Sequence, residues 1–151
     1  MKATVRIVTP ADKAEWDRMW ELYLAFYETS RPVEVFEQTW GRIIGGAHGM
    51  HAAIAEVEGR AVGIVNFLYH PWFWGPEPKV YLNDLYVDPE TRGTGAGRAM
   101  IEYVERHAAA NGAGSIYWLT AEDNAEARRL YDRIAQKSVF VHYTMKPGSR
   151  P

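Results

Sequence analysis

The stretch that most restricts the fold runs from Asp84 to Arg98, reading DLYVDPETRGTGAGR. It begins as the end of an apolar strand pattern and passes through a short turn. Three glycines, Gly93, Gly95 and Gly97, then lead straight into a helical pattern. The first N–H groups of a helix have no partner inside it, and that end carries partial positive charge. Glycines let the backbone turn freely and approach a ligand closely. A strand, a glycine turn and a helix start in this order make an anion cradle suited to a pyrophosphate. Arg92 and Arg98 flank it with fixed charge. Such a cradle requires a strand end beside a helix start, and so an α/β arrangement.

The remaining patterns supply the other elements. Thr4 to Val8 is a short β-branched strand. Thr9-Pro10-Ala11-Asp12 opens a helix, with Thr as N-cap, Pro at the first position and Asp in the positive first turn. Trp16, Met19, Trp20, Tyr23, Leu24 and Tyr27 follow at helical spacing and read chiefly as core. A weaker helix spans 33–44. Strands at 52–57 and 61–68 pair across a tight turn, Glu58-Gly59-Arg60. HPWFWGPEP, residues 70–78, reads as a loop; its Trp72, Phe73 and Trp74 either line an acceptor pocket or cover a sheet edge or dimer contact, and His70 is a loop hydrogen-bonder. A strand at 79–87, a helix at 98–111 ending at Gly112, a strand at 115–120, a helix at 123–134 and a last strand at 139–145 complete the series. The polar tail is 146–151.

The order is therefore β-α-α-β-β-β-α-β-α-β. Antiparallel strands followed by a βαβ unit imply a mixed α/β fold, with a central, mostly antiparallel twisted sheet and helices on both faces. The connection from 79–87 through 98–111 to 115–120 is expected to be parallel and right-handed. A chain of 151 residues suits one domain, 1–151.

Composition removes several functions. Net charge is −2, which argues against a general nucleic-acid binder. There is no cysteine, so a thiol nucleophile and a Cys-based zinc site are excluded. The five histidines lack metal-ligand spacing, and no metal is expected. No apolar run approaches a membrane span. The start, MKATVRIVTPADKAEW, has no apolar signal core, so a cytoplasmic location is expected.

The identity of the phosphate ligand follows from spacing. A P-loop ends in GK[ST], whereas Gly97 is followed by Arg98-Ala99. A dinucleotide fingerprint reads GxGxxG after the first strand of a βαβ unit, whereas here GxGxG lies deep in the chain. Arg92-x-x-Gly95-x-Gly97 resembles instead the R/Q-x-x-G-x-G/A acetyl-CoA motif of the GNAT N-acetyltransferases. Downstream, Asn124-Ala-Glu-Ala-Arg-Arg-Leu-Tyr131 resembles that family's N-x-x-A-x-x-[LF]-Y segment. The resemblance covers residues 4 to 145. Within the family, YLNDLYV is similar to the strand of the small diamine and histone/polyamine-type members.

The resemblance implies a GNAT fold and transfer of an acetyl group from acetyl-CoA directly to a primary amine, on a small molecule or a peptide. The alternative is a non-catalytic acyl-CoA-binding module on the same fold. Leu85, Tyr86 and Val87 are implied as the strand beside the pantetheine arm, with Leu85 and Val87 giving backbone hydrogen bonds and oxyanion stabilisation. Arg92, Gly93, Thr94, Gly95, Ala96, Gly97 and Arg98 are implied as the pyrophosphate cradle. Asn124 is implied on the pantetheine side and Tyr131 beside the sulfur as general acid.

An alkylammonium of pKa about 10 must lose a proton before it attacks. The diamine members carry Glu at the position of Asn83, and an amide cannot take that proton. Strand alternation puts neighbouring Asp84 on the opposite face, which leaves it a secondary candidate beside a water relay. Asp123 with Glu126 reads as a capping box for the 123–134 helix. After Tyr131 the usual Gly-Phe turn and two strands are replaced by one strand pattern, VFVHYTM, so a homodimer through this edge is expected.

Overall fold

The first nine residues show how local chemistry sets the architecture. Thr4–Ile7 forms β1, and Pro10–Asp12 forms one short turn of 3₁₀ helix that continues into α1, Lys13–Phe26. The Thr9 backbone N–H and hydroxyl both donate to Asp12 Oδ2, at 2.7 and 3.1 Å, so the capping signal is realised. Arg6 on β1 donates from both terminal nitrogens to the same carboxylate at 2.8 Å, and through Nε to Glu56 at 2.9 Å. The guanidinium holds the Asp12 carboxyl well below the usual carboxylate range. A forked charge pair thus ties the first strand to the first helix.

In this computed structural model, residues 2–148 are described. The last three residues of the 146–151 tail lie outside that range. The chain divides into two compact units, Met1–Leu119 and Thr120–Pro151. The first holds β1, α1, α2 (Val33–Ile44), β2 (Met50–Val57), β3 (Arg60–Trp72), β4 (Gly75–Val87), α3 (Ala96–Ala110) and β5 (Ser115–Tyr117). Its five-stranded sheet runs β1-β2-β3-β4-β5, antiparallel except for the parallel β4–β5 pair. The mixed α/β sheet read from the sequence is therefore present, including the parallel crossover through α3.

Alternation along β2 divides the core. Ala52 and Ile54 join Ile64 on the face that receives α1 and α2, where Trp16, Met19, Trp20, Leu24, Trp40 and Ile43 are buried. Trp16 stacks on Trp20 at 5.1 Å between ring centroids and meets Trp40 at 5.5 Å. Contacts of this kind add about 0.5–1.5 kcal/mol each to plain area burial. The opposite face takes α3 through Met100, Val104 and Ala108. Gly63 is required there, because a Cβ would stand 2.9 Å from the Met100 Cε and 2.7 Å from the Tyr86 carbonyl oxygen.

Three expectations are corrected. Residues 70–78 are not a loop: β3 and β4 extend as a long hairpin, with Trp72 opposite Gly75. The Lys79 ammonium sits 4.1 Å from the Trp72 ring centroid, and His70 Nε2 lies 2.8 Å from the Tyr117 hydroxyl, so cross-strand contacts outweigh the turn-forming prolines. The helix after the glycines begins at Ala96 rather than 98. The strand at 139–145 does not form. Val139, Phe140, Val141, Tyr143 and Met145 are exposed, and among the described residues no strand pairs with them. A strand pattern needs a ladder partner to become a strand.

Among the described residues, the second unit contains one regular element, α4 (Ala125–Ile134). Its Ala127, Leu130, Tyr131 and Ile134 stripe is half-buried, as their spacing predicts. Asn124 rather than Asp123 occupies the N-cap, and its side chain makes no cap hydrogen bond. No helix among the described residues is long and apolar enough to cross a membrane.

On the α3 face, His107 packs edge-on or tilted against His51, Phe67, Tyr69 and Tyr103, and its Nδ1 lies 2.6 Å from the Tyr69 hydroxyl. Burial, and then the neighbouring His51, push the His107 proton affinity down. The folded chain therefore resists protonation that the unfolded chain accepts near pH 6.5. Stability contributed by neutral His107 is present above that pH and is lost as pH falls below it. Urea titrations of wild type and His107→Gln between pH 7.5 and pH 5.5 should show a steeper acid loss in wild type; equal slopes would contradict this linkage.

Candidate active site

The parallel pairing of β4 with β5 covers only Lys79, Val80 and Tyr81. Beyond Tyr81, β4 continues to Val87 while remaining paired to β3 on its other side. The Asp88 N–H bonds the Val62 carbonyl at 2.8 Å, so alternation turns Tyr86 toward β3 and Leu85 and Val87 away from it. The backbone groups of Leu85 and Val87 thus lie along the strand edge that β5 has left. That edge can accept an extended ligand as an added strand.

The chain then enters a rigid turn. Asp88 accepts the Glu90 N–H at 2.9 Å, and the Thr94 hydroxyl donates to the Thr91 carbonyl at 2.8 Å. Gly93 and Gly95 have left-handed φ values of 87° and 73°, and nothing lies within 4 Å of where a Cβ would stand. Both glycines therefore supply a backbone conformation and leave clear space beside the helix start. Ala96 is buried and anchors the first turn of α3. Arg92 and Arg98 are exposed at this end, and Arg98 Nε also pairs with Glu102 at 2.9 Å. Unpaired helix N–H groups, open glycines and two guanidinium groups fit a pyrophosphate. In the first unit the structure thus brings Leu85, Tyr86 and Val87 into continuity with Arg92, Gly93, Thr94, Gly95, Ala96, Gly97 and Arg98.

Asp84 departs from its expected geometry. Asn66 pairs with Asp84, but Phe67 pairs with Leu82, which leaves Asn83 as an inserted bulge residue on β4. The bulge breaks the simple alternation that separated Asn83 from Asp84, and Asn83 Nδ2 donates to Asp84 Oδ1 at 2.9 Å. The second carboxylate oxygen accepts from Asn66 Nδ2 at 2.9 Å, and Asn66 Oδ1 in turn accepts the Trp16 indole N–H at 2.9 Å. Tyr23 on α1 lies within electrostatic reach of Asp84. Burial, and then the Asp84 charge, push the Tyr23 hydroxyl far above its ordinary range, so it stays a donor. Tyr81 is raised by burial, Tyr117 and Asp84.

Asn124 and Tyr131 belong to the second unit. Asn124 is the N-cap of α4, and Tyr131 lies about two turns further along that helix. Asn124 Nδ2 donates to Thr120 Oγ1 at 3.3 Å. Sequence reasoning missed Asn66 and read Tyr23 chiefly as core. A lone amide within the apolar run AVGIVNFLY was the available signal for Asn66.

A sequence profile of the Acetyltransferase (GNAT) family matches residues 16–135. The chain belongs to this family. As a GNAT enzyme it is an acyltransferase. It is 35% identical over 144 residues to the D-amino-acid N-acetyltransferase HPA3 of Saccharomyces cerevisiae, covering 94% of this chain and 89% of that one. It is 31% identical to the aminoglycoside N(6')-acetyltransferase type 1 of Stenotrophomonas maltophilia over 68% of this chain and 65% of that one. In fold it is similar to the aminoglycoside N-acetyltransferase AAC(6')-Iy in complex with CoA, with a TM-score of 0.82, 18% identity, and coverage of 96% and 95% of the two chains.

The cradle leads to a direct test. Replacing Gly95 by Val puts a β-branched side chain at φ 73° and into the space beside the α3 N-terminus. Coenzyme A affinity measured by calorimetry should fall at least about tenfold, in line with a strain cost of 1–3 kcal/mol. Unchanged affinity in a folded variant would remove Gly95 from the cradle.

Proposed function

We propose that this GNAT enzyme transfers the acetyl group of acetyl-CoA directly to a primary amine, with a small-molecule acceptor favoured over a peptide. The observation that carries the reading is the free β4 edge at Leu85–Val87 running into the glycine cradle at 92–98. Bound there, acetyl-CoA supplies a thioester-activated acyl group. The protein's share is to hold it, orient the amine and manage two protons.

Leu85 and Val87 contribute backbone N–H and C=O groups along the strand edge. Asp84, held by Asn66 and Asn83, offers an oriented carboxylate to an incoming ammonium. The amine proton then leaves through Asp84 or a water beside it, since Asn83 cannot accept it. Tyr131 is the acid that protonates the departing thiolate, and Asn124 holds the pantetheine side. No protein nucleophile is needed, consistent with a chain without cysteine. The small-amine preference is supported by relatives named for D-amino acids and aminoglycosides.

The second part of the reading concerns assembly. Val139–Met145 has strand alternation and five exposed apolar side chains, whereas β5 has only three paired residues at the sheet edge. An unpaired edge and an unpaired strand pattern on the same chain suit completion by a second copy. Light scattering should give a dimer for wild type and a monomer after Val139→Lys and Val141→Lys together; a monomeric wild type would end this part of the reading.

Thiol release from acetyl-CoA, followed with a chromogenic thiol reagent across D-amino acids, aminoglycosides, polyamines and lysine peptides, tests the activity. Release is expected with one class of small amine. Tyr131→Phe should lower kcat about 10²-fold or more with little change in acetyl-CoA affinity. Coenzyme A binding without release for any amine would favour the binding-module reading, and full turnover by Tyr131→Phe would remove it as the acid.

A further inference from the structure

The Asp84 carboxylate is not held by its own strand alone. Asn66, directly opposite it on β3, is buried at 8% exposure, in a strand whose neighbours Val65 and Phe67 are fully apolar and buried. An apolar residue would pack such a position at lower cost than an amide. The amide has one donor end and one acceptor end, and the two cannot be exchanged here. The Trp16 indole N–H can only donate, so the Asn66 oxygen must face it. The NH₂ group is then turned toward Asp84 Oδ2. Flipping the amide would set donor against donor and oxygen against carboxylate.

We propose that Asn66 is a positioning residue for Asp84, with its orientation fixed by Trp16. The Trp16–Asn66 pair transmits the placement of α1 to the carboxylate that faces the amine. Tyr23, seven residues after Trp16 and on the same face of α1, lies within electrostatic reach of the same carboxylate. Helix α1 therefore acts on Asp84 through the Trp16–Asn66 pair, while Asn83 holds the other oxygen from the bulge. A purely structural account would have Asn66 present only to satisfy a buried indole. Trp20 argues against this: its Nε1 is buried in the same cluster with no hydrogen-bond partner, so the core tolerates an unsatisfied indole.

The inference rests on the reading of Asp84 as the group that receives the amine, and the test separates the two. Trp16→Phe removes the indole N–H and keeps an aromatic ring. Trp20→Phe makes the same truncation in the same cluster and breaks no hydrogen bond, so it controls for packing. With the amine identified by thiol release, Trp16→Phe should lower kcat/KM for the amine about tenfold, the size of one charge-assisted hydrogen bond, with the KM for acetyl-CoA unchanged. Trp20→Phe should stay near wild type. Asn66→Asp keeps the acceptor for Trp16 but sets a second carboxylate against Asp84. The two would share a proton, with Tyr23 and Tyr81 as the neighbouring titratable groups, so the acid limb of its pH–rate profile should move to higher pH. A packing defect would not move that limb.

A readout independent of any amine is the ¹³Cγ resonance of Asp84, which should shift in Trp16→Phe and hold in Trp20→Phe. Equal kinetics and equal Asp84 resonances in the two tryptophan variants would overturn the positioning role. Full activity in Asp84→Asn would instead remove the reading on which it rests, whatever the resonances show.

Discussion

Strand β4 has two edges with different fates, and the candidate site depends on that difference. Toward β3 it is paired along its length, from Gly75 to Val87. Toward β5 the pairing stops at Tyr81. A strand held on one side only presents backbone donors and acceptors in fixed positions without a protein partner for them. In most folds that is an aggregation hazard. Here the exposed length ends in a turn that leads into α3, so the free edge and the helix N-terminus form one continuous polar track. The asymmetry is supported from behind, where Gly63 allows Met100 and the Tyr86 carbonyl to approach closely.

The bulge at Asn83 is the second device on the same strand. A regular ladder would have sent Asn83 and Asp84 to opposite faces. The inserted residue lets the amide of one reach the carboxylate of the other, and the register resumes with Asp84 opposite Asn66. The carboxylate thus gains side-chain donors from β3 and β4 together. Donors on both oxygens orient a carboxylate as well as stabilising it. This joins the aromatic cluster on α1 to the Asp84 carboxylate: Trp16 is at once the most deeply buried ring of the core and the hydrogen-bond donor to the Asn66 amide oxygen.

Legibility in the sequence followed the range of the interaction. The glycine turn, the α1 cap and the hairpin at Glu58-Gly59 were readable because each depends on residues within a few positions. Glu58 and Gly59 do take the positive φ values that such a tight turn requires. The α1 stripe was readable from its spacing. What was not readable depended on partners distant in sequence. The bulge comes from the fit of β4 to β3, some 18 residues away, and the alternation rule necessarily misplaces Asp84 when one residue is inserted. The 70–78 segment looked like a loop because proline and glycine dominate its local statistics, whereas Lys79 over Trp72 and His70 beside Tyr117 are cross-strand pairs that local statistics cannot register.

The segment 139–145 shows the same limit from the other side. Its alternation is as good as that of β1, yet β1 is a strand and 139–145 is not. The distinction lies in the neighbour: β1 has four register pairs with β2 and the Arg6 fork to Asp12 and Glu56, whereas the side chains from Val139 to Met145 stand in solvent. Pattern therefore states what a segment is able to become, and the available edge decides whether it does. The same rule governs β4, whose Leu85–Val87 edge has strand geometry and no strand beside it. A chain that keeps one unfilled edge beside its glycine cradle and one unfilled strand near its end has two distinct needs. The first edge calls for a ligand with an extended amide-bearing arm and a polyanionic head, because its track ends at a helix N-terminus. The second has alternating apolar side chains, which a sheet face as well as a ladder would bury.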